Sequence, residues 1–152
     1  MVDVGEPAPD FELLDQNRTP VRLSSFRGHK NVVVVFYPLS FTRVCEGELC
    51  SLRDEIADFS NDHVQTLAIS VDSGPTHAKW AAEQGYDFPL LADFWPHGAV
   101  AREYGVFDDE IGLALRGTFI VDKQGLVAYK VVNAIPDARD QDAYKKVLAS
   151  LS

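Results

Sequence analysis

The sequence predicts an α/β fold built on a mixed β-sheet, and two observations carry this prediction. In the middle of the 152-residue chain, short apolar runs alternate with segments of helical periodicity, as parallel strands joined by helical crossovers do. Later, the stretch GTFIVDKQGLVAYKVV contains two strand patterns around a turn, which adds antiparallel strands. No repeat, low-complexity tract or linker interrupts these patterns, so we expect a single domain over residues 1–152.

The first half of the chain predicts three strands, one long helix and a fourth strand. FELLDQNRTPVRL is typical of a hairpin, because two strand-like pieces flank the turn-forming residues 15–17. Residues 32–37 are apolar and mostly β-branched, which indicates a buried central strand. Leucine, isoleucine and phenylalanine recur at helical spacing up to Phe59, so we expect a helix over 42–59. The apolar run 64–72 follows as another buried strand.

The second half continues the alternation. SGPTHAKWAAEQG predicts a helix that Pro75 starts and Gly85 ends. FPLLAD is a short strand, HGAVAREYG is a short helix closed by Gly105, and the late hairpin turns at 122–125. DARDQDAYKKVLASL closes the chain as an amphipathic helix. The predicted order is β-β-β-α-β-α-β-α-β-β-α, a thioredoxin-like mixed-sheet α/β sandwich with an added N-terminal β-hairpin.

Composition narrows the functional classes. The net charge is −9 and the pI is about 4.7. The sequence therefore offers no basic face, which sequence-independent binding to nucleic acid requires. We expect no membrane insertion, because the longest apolar run, 32–37, is too short, and we see no export signal. Two cysteines are too few for a disulfide framework, and the histidines show no ligand spacing, so we expect no metal and no cofactor. These features favour an acidic cytoplasmic protein.

Both cysteines fall where the central strand gives way to the long helix. Cys45 lies in the first helical turn, where unpaired N–H groups and the helix dipole favour a thiolate. Glu46 and Glu48 oppose this effect, so a cation must offset them. Arg43 is near in sequence, but Arg116 is the better candidate, since it precedes a strand that we expect beside the central one. Alternatively, Cys45 is a small, inert core residue.

The neighbours of Cys45 carry a family resemblance. The pattern Pro38-x-x-x-Thr42-x-x-Cys45 resembles the P-x-x-x-[ST]-x-x-C signature of the peroxiredoxins. The chain is most similar to their alkyl hydroperoxide reductase E group, which is found in actinobacteria. VGEPAPDFELLDQN resembles the opening of that family, FPLLADFWPHGAVAREYGVF its middle, and RGTFIVDKQG its arginine-bearing strand. The resemblance extends over nearly the whole chain.

The resemblance implies a thiol-dependent peroxidase that reduces hydrogen peroxide and organic hydroperoxides through a Cys45 thiolate and a sulfenic acid. It implies that the Thr42 hydroxyl and the Cys45 N–H contact the peroxide, while Arg116 donates to peroxide and sulfur. Pro38 then restricts the loop and shields the thiolate from water, and Glu48 holds Arg116 in place. Outside the resemblance, Thr42 is also a good helix N-cap, and Glu48 an ordinary solvated carboxylate.

Cys50 leaves two interpretations open. The C-x-x-x-x-C spacing resembles the bacterioferritin-comigratory (peroxiredoxin Q) group, in which the second cysteine resolves the first. Five helical residues separate Cα atoms by about 8–9 Å, whereas a disulfide needs them within about 7 Å, so the first turns would have to unwind. Otherwise Cys50 packs beside Leu49, and an external thiol resolves Cys45 in a one-Cys mechanism. A redox-sensor module on the same fold is a further alternative; the C-x-x-C of thiol–disulfide oxidoreductases is missing.

The expected partners follow from the resemblance. It implies thioredoxin, a mycoredoxin working with mycothiol, or a low-molecular-weight thiol as the reductant, and the sequence does not select among them. Related peroxiredoxins pair through loops near the active site, so we expect a homodimer that uses Phe41 and the region Phe94–Trp95. Alternatively, the two loop aromatics close the core of this chain.

Overall fold

The fold is described by a computed structural model, which covers residues 1–151 and contains nine strands, five α-helices and one 3-10 helix (Leu23–Phe26) in that range. The strands are β1 (Glu12–Leu14), β2 (Pro20–Arg22), β3 (Asn31–Phe36), β4 (Val64–Ser70), β5 (Leu90–Ala92), β6 (Phe107–Asp108), β7 (Leu113–Ala114), β8 (Arg116–Val121) and β9 (Val127–Asn133). The helices are α1 (Arg43–Asp54), α2 (Ile56–Phe59), α3 (Gly74–Gln84), α4 (Ala99–Tyr104) and α5 (Gln141–Ser150).

Five of the strands form one mixed sheet in the order β5-β4-β3-β8-β9. The central strand β3 is buried along its whole length; it runs parallel to β4 and antiparallel to β8. β1 and β2 form a separate antiparallel hairpin near the N-terminus. The predicted α/β sandwich with a mixed sheet and an N-terminal hairpin is therefore confirmed.

Alternate residues of β3 feed two hydrophobic cores, one on each face of the sheet, because successive strand side chains point to opposite faces. Val34 and Phe36 lie in the core that α4 and the N-terminal segment cover. Val33 and Val35 lie in the core that α1, α2, α3 and α5 cover. Burying one such apolar side chain stabilises the fold by about 1.5–3 kcal/mol. The strand is thus fixed from both sides, and so is the position of the turn that follows it.

The number of elements differs from the prediction in two places. The helix expected over 42–59 is broken at Glu55, whose torsions (φ −111°, ψ 31°) leave the helical range, so α1 ends at Asp54 and α2 begins at Ile56. Apolar spacing continues across the break, and the pattern therefore cannot reveal it. The hairpin of β6 and β7 was not predicted, because strands of two residues are too short to show a period.

The described residues, 1–151, contain neither a membrane-spanning helix nor a cluster of possible metal ligands. None of their helices is long and apolar enough to cross a membrane. No group of three or more histidine, cysteine, aspartate or glutamate side chains in this range is placed to hold a metal ion.

Candidate active site

The turn between β3 and α1 carries the predicted nucleophile. Tyr37 and Pro38 follow β3 and are buried, α1 begins at Arg43, and Cys45 lies fully buried in its first turn. The first hydrogen bond of the helix runs from the Glu46 N–H to the Thr42 carbonyl, at 2.8 Å. The Cys45 N–H precedes that bond, so it is one of the N–H groups that the helix itself does not satisfy.

Arg116 reaches the sulfur from the neighbouring strand. β8 is antiparallel to β3 with Thr118 opposite Val35, so Arg116, two residues earlier, lies at the end of β3 where the loop leaves. Its Nη1 donates to the Cys45 Sγ across 3.2 Å, and the guanidinium is buried. The structure thus brings together the cysteine and the arginine that the sequence analysis paired. Arg43, the other candidate cation, is exposed.

Glu48 lies between two buried arginines. Its Oε1 accepts from Arg116 Nη1 at 2.7 Å and from Arg139 Nη2 at 2.9 Å. Its Oε2 accepts from the Nε and the backbone N–H of Arg139, both at 2.8 Å. Burial opposes ionisation of Glu48, but the hydrogen bonds and charges of the arginines outweigh it and hold its pKa below the usual value. Glu48 is therefore a buried anion that orients Arg116, and the three groups together leave one positive charge beside the sulfur.

Arg139 is the functional candidate that the sequence analysis missed. Its Nη1 donates to the carbonyls of Phe36, at 2.6 Å, and Gly117, at 3.0 Å, so it ties β3 to β8 beside the site. The segment 137–140 was predicted as part of the last helix, whereas α5 begins only at Gln141. The one available signal was a lone arginine among the aspartates of DARDQD.

Thr42 occupies the N-cap position of α1, but its side chain does not cap the helix. Its hydroxyl instead donates to the Leu39 carbonyl at 2.7 Å. Because a hydroxyl has one hydrogen and two lone pairs, Thr42 remains able to accept a further hydrogen bond. The alternative in which the Thr42 side chain caps the helix is therefore wrong. Pro38, at the start of the same loop, is buried.

Cys50 is half-buried on another face of α1, and both cysteines are free thiols. Its Sγ lies 3.3 Å from the Tyr86 hydroxyl and 3.6 Å from Gln84 Oε1. Burial and the neighbouring Cys50 raise the pKa of Tyr86, so its hydroxyl keeps its proton. The amide nitrogen of Gln84 also donates to Glu46, the residue after Cys45. The Gln84 side chain is therefore hydrogen-bonded to α1 both next to Cys45 and at Cys50.

Three large aromatic side chains are exposed near this end of the molecule. Phe41 is 50% exposed and contacts Trp80 on one side, with 5.9 Å between the ring centroids. Phe94 is 53% exposed and Trp95 82% exposed. The alternative in which both loop aromatics close the core of this chain is therefore wrong. Phe94 and Trp95 instead line an open groove of about 430 Å³ that Pro75 also borders.

Comparison with known proteins gives long matches. A family model described as the AhpC/TSA family matches residues 4–130. Alkyl hydroperoxide reductase E of Mycobacterium tuberculosis is 50% identical over 152 residues, 100% of this chain and 99% of that protein. Thioredoxin peroxidase of Echinococcus granulosus is 37% identical over 155 residues, 95% of this chain and 79% of that protein. The crystal structure of peroxidoxin BcpB from Mycobacterium tuberculosis matches with a TM-score of 0.88 and 32% identity, over 100% of this chain and 99% of that one.

Proposed function

The chain belongs to the AhpC/TSA family of peroxiredoxins, which are thiol-dependent peroxidases, and from this premise we propose that Cys45 attacks the peroxide and Cys50 resolves the product. The expected closeness to the alkyl hydroperoxide reductase E group is confirmed by the 50% identity. The observation that carries the assignment of Cys45 is its contact with the buried Arg116, at 3.2 Å. Hydrogen peroxide and organic hydroperoxides are the proposed substrates.

The first step is a displacement at oxygen. The Cys45 thiolate attacks the nearer peroxide oxygen, the O–O bond breaks, and the farther oxygen leaves as hydroxide or alkoxide, which takes up a proton. Sulfur is oxidised to sulfenic acid and the peroxide is reduced to water or alcohol. Arg116 stabilises the thiolate and the charge that spreads over the two oxygens in the transition state. Thr42 accepts from the peroxide O–H, and Pro38 keeps water away from the sulfur.

The second step converts the sulfenic acid of Cys45 into a disulfide with Cys50. The Cys50 thiolate attacks the Cys45 sulfur, an S–S bond forms, the S–O bond breaks, and hydroxide leaves and takes up a proton to become water. For this the first turns of α1 must unwind, because five helical residues hold the cysteines too far apart. Gly47 favours unwinding, since glycine costs a helix about 1 kcal/mol relative to alanine. The contacts of Glu46 with Gln84 and of Glu48 with both arginines oppose it.

One observation favours a one-Cys mechanism as the second candidate. Cys50 already has two polar neighbours, Tyr86 and Gln84, on a face of α1 that the Cys45 sulfur does not share. In that mechanism an external thiol attacks the sulfenic acid of Cys45, and Cys50 stays reduced throughout the cycle.

Mass spectrometry of peroxide-treated protein separates the two mechanisms. We expect wild type to form mainly an intramolecular Cys45–Cys50 disulfide, and Cys50→Ser to keep the first-turnover rate but accumulate sulfinic acid, because no neighbouring thiol competes with further oxidation. Gly47→Ala is a matched second variant, since a Cβ at position 47 meets no atom within 4 Å, and it should slow disulfide formation by stiffening the helix. Equal overoxidation of wild type and Cys50→Ser would instead identify a one-Cys enzyme.

The reductant and location are proposed from the chemistry of the cycle. A disulfide between two cysteines of one chain suits a dithiol reductant such as thioredoxin or a mycoredoxin, and a low-molecular-weight thiol suits the one-Cys alternative. The relative named thioredoxin peroxidase supports the first choice. Such a cycle needs a compartment in which thiols are kept reduced, so we propose the cytoplasm, and a single domain over residues 1–152.

A homodimer is the proposed assembly, formed through Phe41 and the region Phe94–Trp95. These aromatics are at least half exposed, and a patch of this kind on a folded protein marks an interaction surface. We expect light scattering to give twice the chain mass at high micromolar concentration, and Trp95→Asp to shift the protein to monomer by placing a charge in the interface. A monomer mass for wild type under these conditions contradicts the proposal.

A further inference from the structure

A chain of hydrogen-bonded polar side chains lies beneath the loop 38–42, and none of its members is hydrogen-bonded to the Cys45 sulfur. It begins at the loop, crosses the end of β4 and reaches α3. Its members are buried or nearly so; they are Tyr37, Ser40, Ser70, Asp72 and His77. The mechanism above uses none of these groups, and hydrogen bonds within a buried polar network fix the position of the groups that they join.

Asp72 is the member that reaches the loop backbone. Its Oδ2 accepts from the Ser40 N–H at 2.8 Å and from the Ser70 hydroxyl at 2.6 Å. Ser40 lies between Leu39, whose carbonyl accepts the Thr42 hydroxyl, and Phe41. The Asp72 carboxylate is therefore hydrogen-bonded to the backbone in the middle of the segment that orients Thr42.

Ser70 fixes the carboxylate in turn. Its hydroxyl donates its one hydrogen to Asp72, and its two lone pairs accept from the Asp72 N–H, at 3.2 Å, and from His77 Nε2, at 2.7 Å. Burial lowers the pKa of His77 to about 4 although the charge of Asp72 opposes this, so the imidazole is neutral at neutral pH. Two of the three hydrogen bonds of Ser70 join it to Asp72, so they restrict the orientation of the carboxylate.

The loop needs stabilising contacts from outside itself, because its backbone is strained at Phe41. Phe41 has φ 64°, in the left-handed region that costs a residue with a side chain about 1–2 kcal/mol. Packing of Phe41 on Trp80 supports one side of this conformation. The hydrogen bond from Ser40 to Asp72 supports the other side, and no other described side chain accepts from the Ser40 N–H.

We propose that Asp72 is a positioning residue for peroxide: through the Ser40 N–H it holds the loop 38–42 so that Thr42 faces the bound peroxide. The proposal rests on the proposed function, in which Thr42 aligns the O–O bond. Asp72 is hydrogen-bonded to neither Cys45 nor Arg116, so its loss should disturb peroxide alignment while leaving the thiolate as reactive as before toward reagents that need no alignment.

The test is the ratio of two second-order rate constants for Cys45, with hydrogen peroxide and with iodoacetamide, which alkylates a thiolate without using Thr42. Both are measured on Cys50→Ser protein so that only one thiol reacts. We expect Asp72→Ala to lower the peroxide constant about 10- to 100-fold, as misplaced reacting groups do, while the iodoacetamide constant stays within about twofold. Asp72→Asn should be intermediate, because its amide oxygen can accept both bonds that converge on Oδ2, without the charge.

Asp122→Ala is the matched control. Its carboxylate accepts two backbone N–H groups at 3.0 Å in the β8–β9 turn, far along the chain from the loop, so both constants should equal those of the parent protein. If Asp72→Ala does not fold, Asp72→Asn carries the test through the same ratio. The proposal is overturned if a folded Asp72 variant keeps the parent ratio of the peroxide rate constant to the iodoacetamide rate constant. This holds even if both rate constants fall together. Peroxide reduction that survives in Cys45→Ser would instead overturn the proposed function.

Discussion

Replacing Cys45 with serine should abolish peroxide reduction and leave the fold intact. The serine hydroxyl stays protonated at neutral pH and is a weak nucleophile, whereas the cysteine offers a thiolate beside Arg116. The hydroxyl also fits the site, because it is smaller than the thiol and can accept the same hydrogen bond from Arg116. Stopped-flow measurement of peroxide consumption should give the rate of buffer alone, with an unchanged far-UV circular dichroism spectrum.

Cys50→Ser is the matched control for this substitution, because it makes the same chemical change five residues along the same helix. Its first turnover should run at the wild-type rate. If Cys45→Ser still consumes peroxide near the wild-type rate, another group is the nucleophile and the assignment of Cys45 is wrong.

The second large effect is expected at Arg116. Arg116→Ala removes the hydrogen bond to the Cys45 sulfur and one of the two cations that surround Glu48. The remaining Arg139 and Glu48 then cancel in charge, so no net positive charge is left beside the thiolate. We expect the second-order rate constant with hydrogen peroxide to fall more than about tenfold, which corresponds to about 1.4 kcal/mol of lost transition-state stabilisation.

Arg43→Ala controls for the general loss of a positive charge near the cysteine. Arg43 is exposed at the first position of α1, where water screens its charge, so its removal should change the rate constant less than about twofold. Arg116→Lys should recover part of the rate, since an ammonium group keeps the charge but cannot hold the geometry of the guanidinium fork. Equal rates for Arg116→Ala and wild type would show that another residue stabilises the thiolate.

The sequence could predict the pairing of Cys45 with Arg116 because both follow from strand order. β3 is recognisable by its apolar run, and the arginine directly precedes the pattern that becomes β8. Once these strands are neighbours, an antiparallel register brings the start of β8 to the end of β3. The chemistry of the helix N-terminus is equally local, since it depends only on where the helix begins.

Arg139 could not be predicted in the same way, because no period marks it. It lies in the segment between β9 and α5 and reaches the site through side-chain bonds to carbonyls of β3 and β8. Glu46 and Glu48 also suggested, from the sequence, a first turn that repels a thiolate. The structure separates these charges, with Glu46 bonded to Gln84 and Glu48 enclosed by arginines. The surroundings of these charged groups depend on tertiary contacts of single long side chains. The spacing of residues in the sequence does not predict such contacts.

Chemical trapping of the oxidised sulfur tests the central claim most directly. Cys50→Ser protein is treated with one equivalent of hydrogen peroxide in the presence of dimedone, which reacts with sulfenic acid, and is then digested and analysed by mass spectrometry. The account predicts one adduct, on the peptide that contains Cys45, in an amount that matches the peroxide consumed. Peroxide consumption with no adduct on Cys45 would contradict it.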